Sequence, residues 1–167
     1  AELRFYNRGM RVEAQSGSIN NVTLKGATAR IADLWQPRLQ VDGRFSGALE
    51  MMHALLLDAP VLSPDSPLAD FGWAGDAEVA LSLFFPFERQ PPRISGRLTV
   101  ADGEIALPRP AIRLTNVEGD VEFDDNGVRW DGLRARYRDR PLLSRATTVF
   151  ENGESRLTIT ADTRLAL

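Results

Sequence analysis

Cysteine is absent from this 167-residue chain, histidine occurs once (His53) and lysine once (Lys25). Without a thiol, disulfides, thiolate nucleophiles and zinc-thiolate sites are all excluded. A single imidazole cannot build a zinc site unless the fold adds several carboxylates, so His53 reads as a structural or exposed side chain and receives no chemistry. No apolar run approaches the ~18 residues of a membrane-spanning helix, and the opening AELRFYNRGM has no signal-peptide core. A strong excess of positive charge is also missing: the net charge of -3 gives no reason to expect nucleic acid as a partner. Asp70-Phe71-Gly72 matches a kinase tripeptide, but neither a glycine-rich nucleotide loop nor a catalytic loop accompanies it. Glu88, Glu104 and Glu122 are scattered among surface charges, and no serine stands in a nucleophile elbow. No catalytic residue, metal site or cofactor is assigned, and catalysis is the weakest function class.

What is present is alternation. In Leu114–Tyr137, Val117, Gly119, Val121 and Phe123 share one face of an extended segment, and Glu118, Asp120 and Glu122 share the other. Asn126-Gly127 suits a hairpin turn, and centring the hairpin on Asp125-Asn126 sets Glu122 across from Arg129 and Glu118 across from Arg134. The return strand changes phase, from Val128 and Trp130 to Leu133, Ala135 and Tyr137. The Asp131-Gly132 step must absorb one residue, so a β-bulge is expected there. The run Arg134, Arg136, Arg138 and Arg140 is then one side of a solvated charge ladder rather than a polyanion site.

The rest of the chain is read the same way. Leu3 and Phe5, Met10 to Ala14, and Val22 with Leu24 mark three strands, with Gln15–Asn21 as a loop. A chain that enters strand pattern at once is expected to be a segment of something longer, with an unpaired edge. Leu39, Val41 and Gly43 follow a break at Pro37. One helix is predicted over 47–58, with Ser46 as N-cap and Pro60 beyond its end. An internal loop is predicted over 60–76, with Phe71 and Trp73 as apolar anchors. Strands follow at Val79–Leu83 and Ile94–Val100, a turn at Asp102-Gly103, a strand at Ile105–Leu107, and a last pair around an Asn152-Gly153 turn. The whole is a single mainly β segment, 1–167, with one short helix.

In Val41–Phe45, Ile94–Leu98 and Val117–Val121 a glycine sits on the apolar face between bulky neighbours, letting another group approach and the strand bend. Repetition of this device suggests a curved, twisted antiparallel sheet of successive hairpins. The stretch GRLTVADGEIALPRPAIRLTNVEGDVEFDDNGVRWDGLRARYRDRPL, with ARIADLWQPRLQVDGRFSGAL before it, resembles the YhdP type of the AsmA-like, TamB-related family of Gram-negative envelope proteins. That resemblance implies an open β-groove of the β-taco kind, in a periplasmic protein anchored in the inner membrane, carrying phospholipid toward the outer membrane. A segment this short would be one part of such a conduit, next to neighbouring segments of the parent chain. The implied lining is Val79, Leu81, Leu83, Ile94, Leu98, Val100, Ile105, Leu107, Ile112, Leu114, Val117, Val121 and Phe123. Alternation alone favours these residues filling a closed core, as in a β-rich scaffold or protein-interaction module; the resemblance favours the groove.

Overall fold

The computed structural model of the protein describes residues 1–19, 21–58, 72–87, 90–108, 111–151 and 154–162. Their strands are β1 (Glu2–Tyr6), β2 (Gly9–Ala14), β3 (Gly17–Ile19), β4 (Val22–Ile31), β5 (Leu39–Ala48), β6 (Gly72–Phe85), β7 (Arg93–Leu107), β8 (Ile112–Asp124), β9 (Gly127–Tyr137), β10 (Arg140–Glu151) and β11 (Glu154–Asp162); the helix α1 spans Leu49–Asp58. All eleven strands join one antiparallel sheet in the order β1-β2-β4-β5-β6-β7-β8-β9-β10-β11, with β3 paired to β4. β1 pairs β2 at one margin and β11 pairs β10 at the other, so the sheet does not close into a barrel.

Because each hairpin pairs apolar positions with apolar ones, the alternation within single strands adds up to two continuous faces. One register line runs Ala29–Val41–Leu83–Ile94, and another runs Phe45–Val79–Leu98–Val121. Directly paired residues project to the same side, so apolar side chains gather on one face and charged ones on the other.

The sheet is creased. Asp76 pairs with Asp102 but Ala77 with Val100, leaving Ala101 unmatched. Gly103 pairs with Val117 and Ile105 with Leu114, an extra residue on β8 that goes with Asn116 at φ 49. Ser144 pairs with Leu133 and Arg145 with Asp131, which skips Gly132. These bulges sit at one level of adjacent strands, and a bulge bends its strand. Their effect is visible in burial. Val117 is 0% and Leu133 1% exposed, although β8 and β9 belong to a single layer and α1 lies mainly against β5 and β6. What covers them among the described residues is Leu49 at the start of α1 and the sheet itself: Trp73, Leu107 and Leu114 from one side of the crease and Leu98, Val128 and Trp130 from the other pack on the same buried cluster.

The expected bulge at Asp131-Gly132 is present, with Gly132 at φ +78. The carbonyl of Leu133 beside it accepts a hydrogen bond from Ser144 Oγ, which in turn accepts one from Trp130 Nε1 at 3.1 Å. The Glu122–Arg129 and Glu118–Arg134 pairings also hold, and the hairpin turns on Asp125-Asn126 between Asp124 and Gly127. Phe45 folds over Gly43, Phe123 over Gly96 and Leu133 over Gly119, the close approach for which those glycines were singled out.

Four expectations are corrected. Asp102-Gly103 is not a turn: Arg93–Leu107 is one continuous strand, and the pair forms its bulge because β6 and β8 flank it on both sides. Ser46 is not an N-cap; it lies in β5 between Thr23 and Glu78, and the strand passes directly into a helix that starts at Leu49. The Gln15–Asn21 loop contains β3. Gly72–Asp76, taken as the end of the loop over 60–76, is already β6, because pairing with Asp102–Ala106 supplies the backbone bonds a loop would lack. Residues 59–71, with Phe71, and the Asn152-Gly153 turn lie outside the described residues.

Two glycines on the crease should respond differently to alanine. At Gly75 (φ +102) a Cβ would meet the Asp102 carbonyl oxygen and approach Gly103 Cα to 2.8 Å, backbone that cannot step aside. At Gly132 nothing lies within 4 Å, and only the backbone conformation opposes a side chain. Gly132→Ala is therefore expected to cost about 1 kcal/mol, in line with an L-residue held at positive φ, and Gly75→Ala clearly more. Urea unfolding of both variants checks this; equal costs would mean that β6 and β7 can separate at the crease.

Candidate functional site

The alternation in β6, β7 and β8 puts all thirteen sequence-predicted lining residues on the apolar face, and their depth divides them by position relative to the crease. Ile94, Val100, Ile105, Val117 and Val121 are buried, and all but Ile94 belong to the cluster at the crease. Val79, Leu81, Leu83, Leu98, Leu107, Ile112, Leu114 and Phe123 are half-buried and rise from it as walls. The geometry is thus a trough with a dry floor and apolar walls that are partly open to water.

Register extends the same face beyond those strands. Leu39, Val41 and Phe45 on β5, Ala27 and Ala29 on β4, and Val128, Trp130 and Leu142 on β9 and β10 continue it in both directions. The signal that could have found them is the alternation already used for β6 to β8.

Helix α1 lies within this trough. Leu49 is 4% exposed and joins Ala77, Val100, Ile105 and Val117 in the core, reaching the space that a side chain on Gly103 would take. Met52 is buried as well, and the His53 ring lies 6.2 Å from that of Trp73 at a tilt of 50°. α1 covers the trough at β5 and β6 on the side of the crease where Trp73 stands. Trp73 is a wall residue of β6 rather than a loop anchor.

The opposite face is a charge ladder. Glu122 on β8 bridges Arg97 on β7, at 2.5 Å, and Arg129 on β9. Glu118 and Arg134 stand 4.0 Å apart, Thr99 donates to Asp120 at 2.6 Å, and Arg113 pairs with Glu104. A depression of about 720 Å³ on this face is lined by Asp42, Arg44, Ser82, Ser95 and Arg97. Ser82 is committed to Asp42 and Arg97 to Glu122, so it is a solvated gap above Ala80 in the ladder. Among the described residues no group of three His, Asp or Glu side chains could hold a metal ion.

Hydrogen bonds from Arg129 and Arg97, in that order, hold the Glu122 carboxyl below its ordinary pKa of 4.5. A lowered carboxyl pKa contributes stability above the unfolded-state value and loses it as pH falls through the folded one. Glu122→Gln is accordingly expected to lower the thermal midpoint slightly at neutral pH, with the difference closing as pH drops below 4.5. Melting curves of both proteins across that range test this. A difference of constant size down to strong acid would assign it to packing instead.

Residues 1–167 match the family model described as YhdP protein. No curated protein matches. No solved structure matches either.

Proposed function

The chain belongs to the YhdP family, and on that premise we propose that it is a segment of a periplasmic lipid-transport protein whose apolar groove shelters phospholipid acyl chains between the inner and outer membranes. The observation that carries this reading is the division of one face into a buried floor and half-exposed apolar walls. A closed core would bury the walls against a second layer, whereas among the described residues only α1 lies over this face, against β5 and β6 with Leu49 reaching the crease, and the walls stay half-exposed. Walls of this kind leave hydrocarbon in contact with water, at about 25 cal/mol per Å², unless a hydrocarbon ligand replaces it. The charged outer face suits a surface that stays wet.

In this role no residue carries out chemistry. Leu81, Leu83, Leu98 and Phe123 contact acyl chains, and Val100, Val117 and Val121 hold the floor shut beneath them. Polar headgroups remain at the open side of the trough. The parent protein is anchored in the inner membrane, and neighbouring segments of the parent chain continue the groove.

Native mass spectrometry of the purified chain, followed by organic extraction, tests the reading. Phospholipid at substantial occupancy is the expected result. A monodisperse chain that carries no lipid, and takes none up from mixed micelles, would replace the conduit with a non-catalytic β scaffold.

A further inference from the structure

We propose that the corner where the β1–β2 turn meets the β4–β5 connection is a docking surface for the interface of an anionic phospholipid bilayer, with Trp35 as its anchor. The proposal does not rest on the groove holding lipid: its anchor, Trp35, lies in the β4–β5 connection outside the strands that form the groove walls, although Phe5, linked through Met10 and Ile31 to Leu39, stands at the far margin of the same apolar face.

Trp35 is 78% exposed, and its position is imposed by hydrogen bonds rather than left to chance. The Leu34 N–H donates to the Arg8 carbonyl at 2.7 Å, tying the connection to the neighbouring turn. The Trp35 N–H donates to Asp33 Oδ1 at 2.9 Å, and Asp33 lies 3.8 Å from Arg8 Nε. Pro37 narrows the backbone freedom of Gln36. A turn held in this way presents the indole to solvent, so an encounter with an apolar medium costs little ordering entropy. Phe5 at 68%, Leu34 at 48% and Tyr6 at 39% exposure stand at the same strand ends, where Phe5 pairs with Met10 and Met10 with Ile31.

Both the residue types and the charge point to a membrane surface. Residues 2–9 and 30–38 contain four arginines, Arg4, Arg8, Arg30 and Arg38, and two acids, Glu2, which pairs with Arg4 at 2.8 Å, and Asp33, leaving a net excess of two positive charges. Arg30 donates to the Tyr6 hydroxyl at 3.1 Å, and Arg38 is exposed with no ion pair among the described residues. Indole and phenol rings have an apolar body and a polar edge and gather at the headgroup level of bilayers. Arginines beside them are drawn to anionic headgroups, by about 1 kcal/mol each near the surface. A protein partner would be expected to meet a broad surface with a buried centre; this corner offers a few separate projecting rings, Trp35 foremost and Phe5 and Tyr6 beside it, with arginines among them.

Flotation of the whole chain with vesicles of phosphatidylcholine, with and without phosphatidylglycerol, tests the proposal. Binding is expected to be several-fold stronger with phosphatidylglycerol and to weaken with salt. Trp35→Ala should lower the bound fraction about tenfold, the scale set by burying one large apolar side chain. Val149→Ala, at an exposed apolar residue remote from the corner, should change nothing. Leu81→Asp, a change to the groove wall, should float like the unmodified chain. The proposal is overturned if the chain does not float, if Trp35→Ala and Phe5→Ala together leave flotation intact, or if Leu81→Asp abolishes it and so assigns binding to the groove. Trp35-dependent capture of a protein without vesicle binding would overturn it as well.

Discussion

Val117→Asp is expected to abolish cooperative folding. The Val117 side chain is fully buried at the crease, packed with Leu49, Val100, Ile105 and Leu133, and the polar groups of the opposite face lie on the far side of the sheet. A carboxylate there has no cation within the cluster, and burying it uncompensated costs several kcal/mol even after the group neutralises itself by taking up a proton. The whole domain holds only about 5–15 kcal/mol. Circular dichroism during thermal and urea unfolding should show a broad, non-cooperative loss of signal or no folded baseline. A sharp transition within about 1 kcal/mol of the unmodified chain would show that water reaches the floor, and the trough would have to be redrawn as a flat sheet.

Leu81→Asp should do the reverse, leaving the fold in place while removing bound lipid. Leu81 is a half-buried wall residue outside the buried cluster at the crease, on the same face as Val41 and Leu83 and paired across the sheet with Gly43 and Gly96. A carboxylate at this site keeps contact with water, so its cost is expected to be about 1–2 kcal/mol, the loss of part of one leucine's burial. For an acyl chain the same charge would require either desolvation of the carboxylate or retreat of the chain. Copurifying phospholipid should therefore fall by at least about tenfold, which corresponds to ~1.4 kcal/mol. Lipid analysis and an unfolding curve on the same preparation separate the cases. Unchanged lipid on a folded variant would move the binding surface elsewhere, and an unfolded variant would mean that the walls are core.

The contrast between these two positions could not be drawn from alternation. Val117 and Leu81 are equivalent in a period-two reading: each is apolar, each is flanked by residues of the other face, and each was placed in the same lining. They differ in distance from the crease, and the crease depends on bulges in several strands standing at one level. One of those bulges was legible, because Val128 and Trp130 fall out of phase with Leu133 and Ala135 within a single strand. The one at Asp102-Gly103 was misread as a turn, since Asp-Gly serves both purposes and only the strands alongside decide between them. Helix α1 was legible as a helix from its Leu and Met spacing. Its start was misplaced by two residues, as Gly47 and Ala48 are taken by pairing with β6.

The sequence by itself determined which side chains share a face, where the organising hairpin turns, which charges meet across it, and that the chain carries no thiol chemistry. These properties are local: a strand's period and a turn's tolerance of positive φ act over a few residues. The tertiary structure alone decided how deeply each apolar residue lies, that α1 rests inside the trough, and that Trp35 is held out at a corner. Depth and placement arise from contacts between residues far apart in the chain, such as Trp73 with Ile105 or Arg8 with Leu34, and no local pattern encodes the summed bend of many strands.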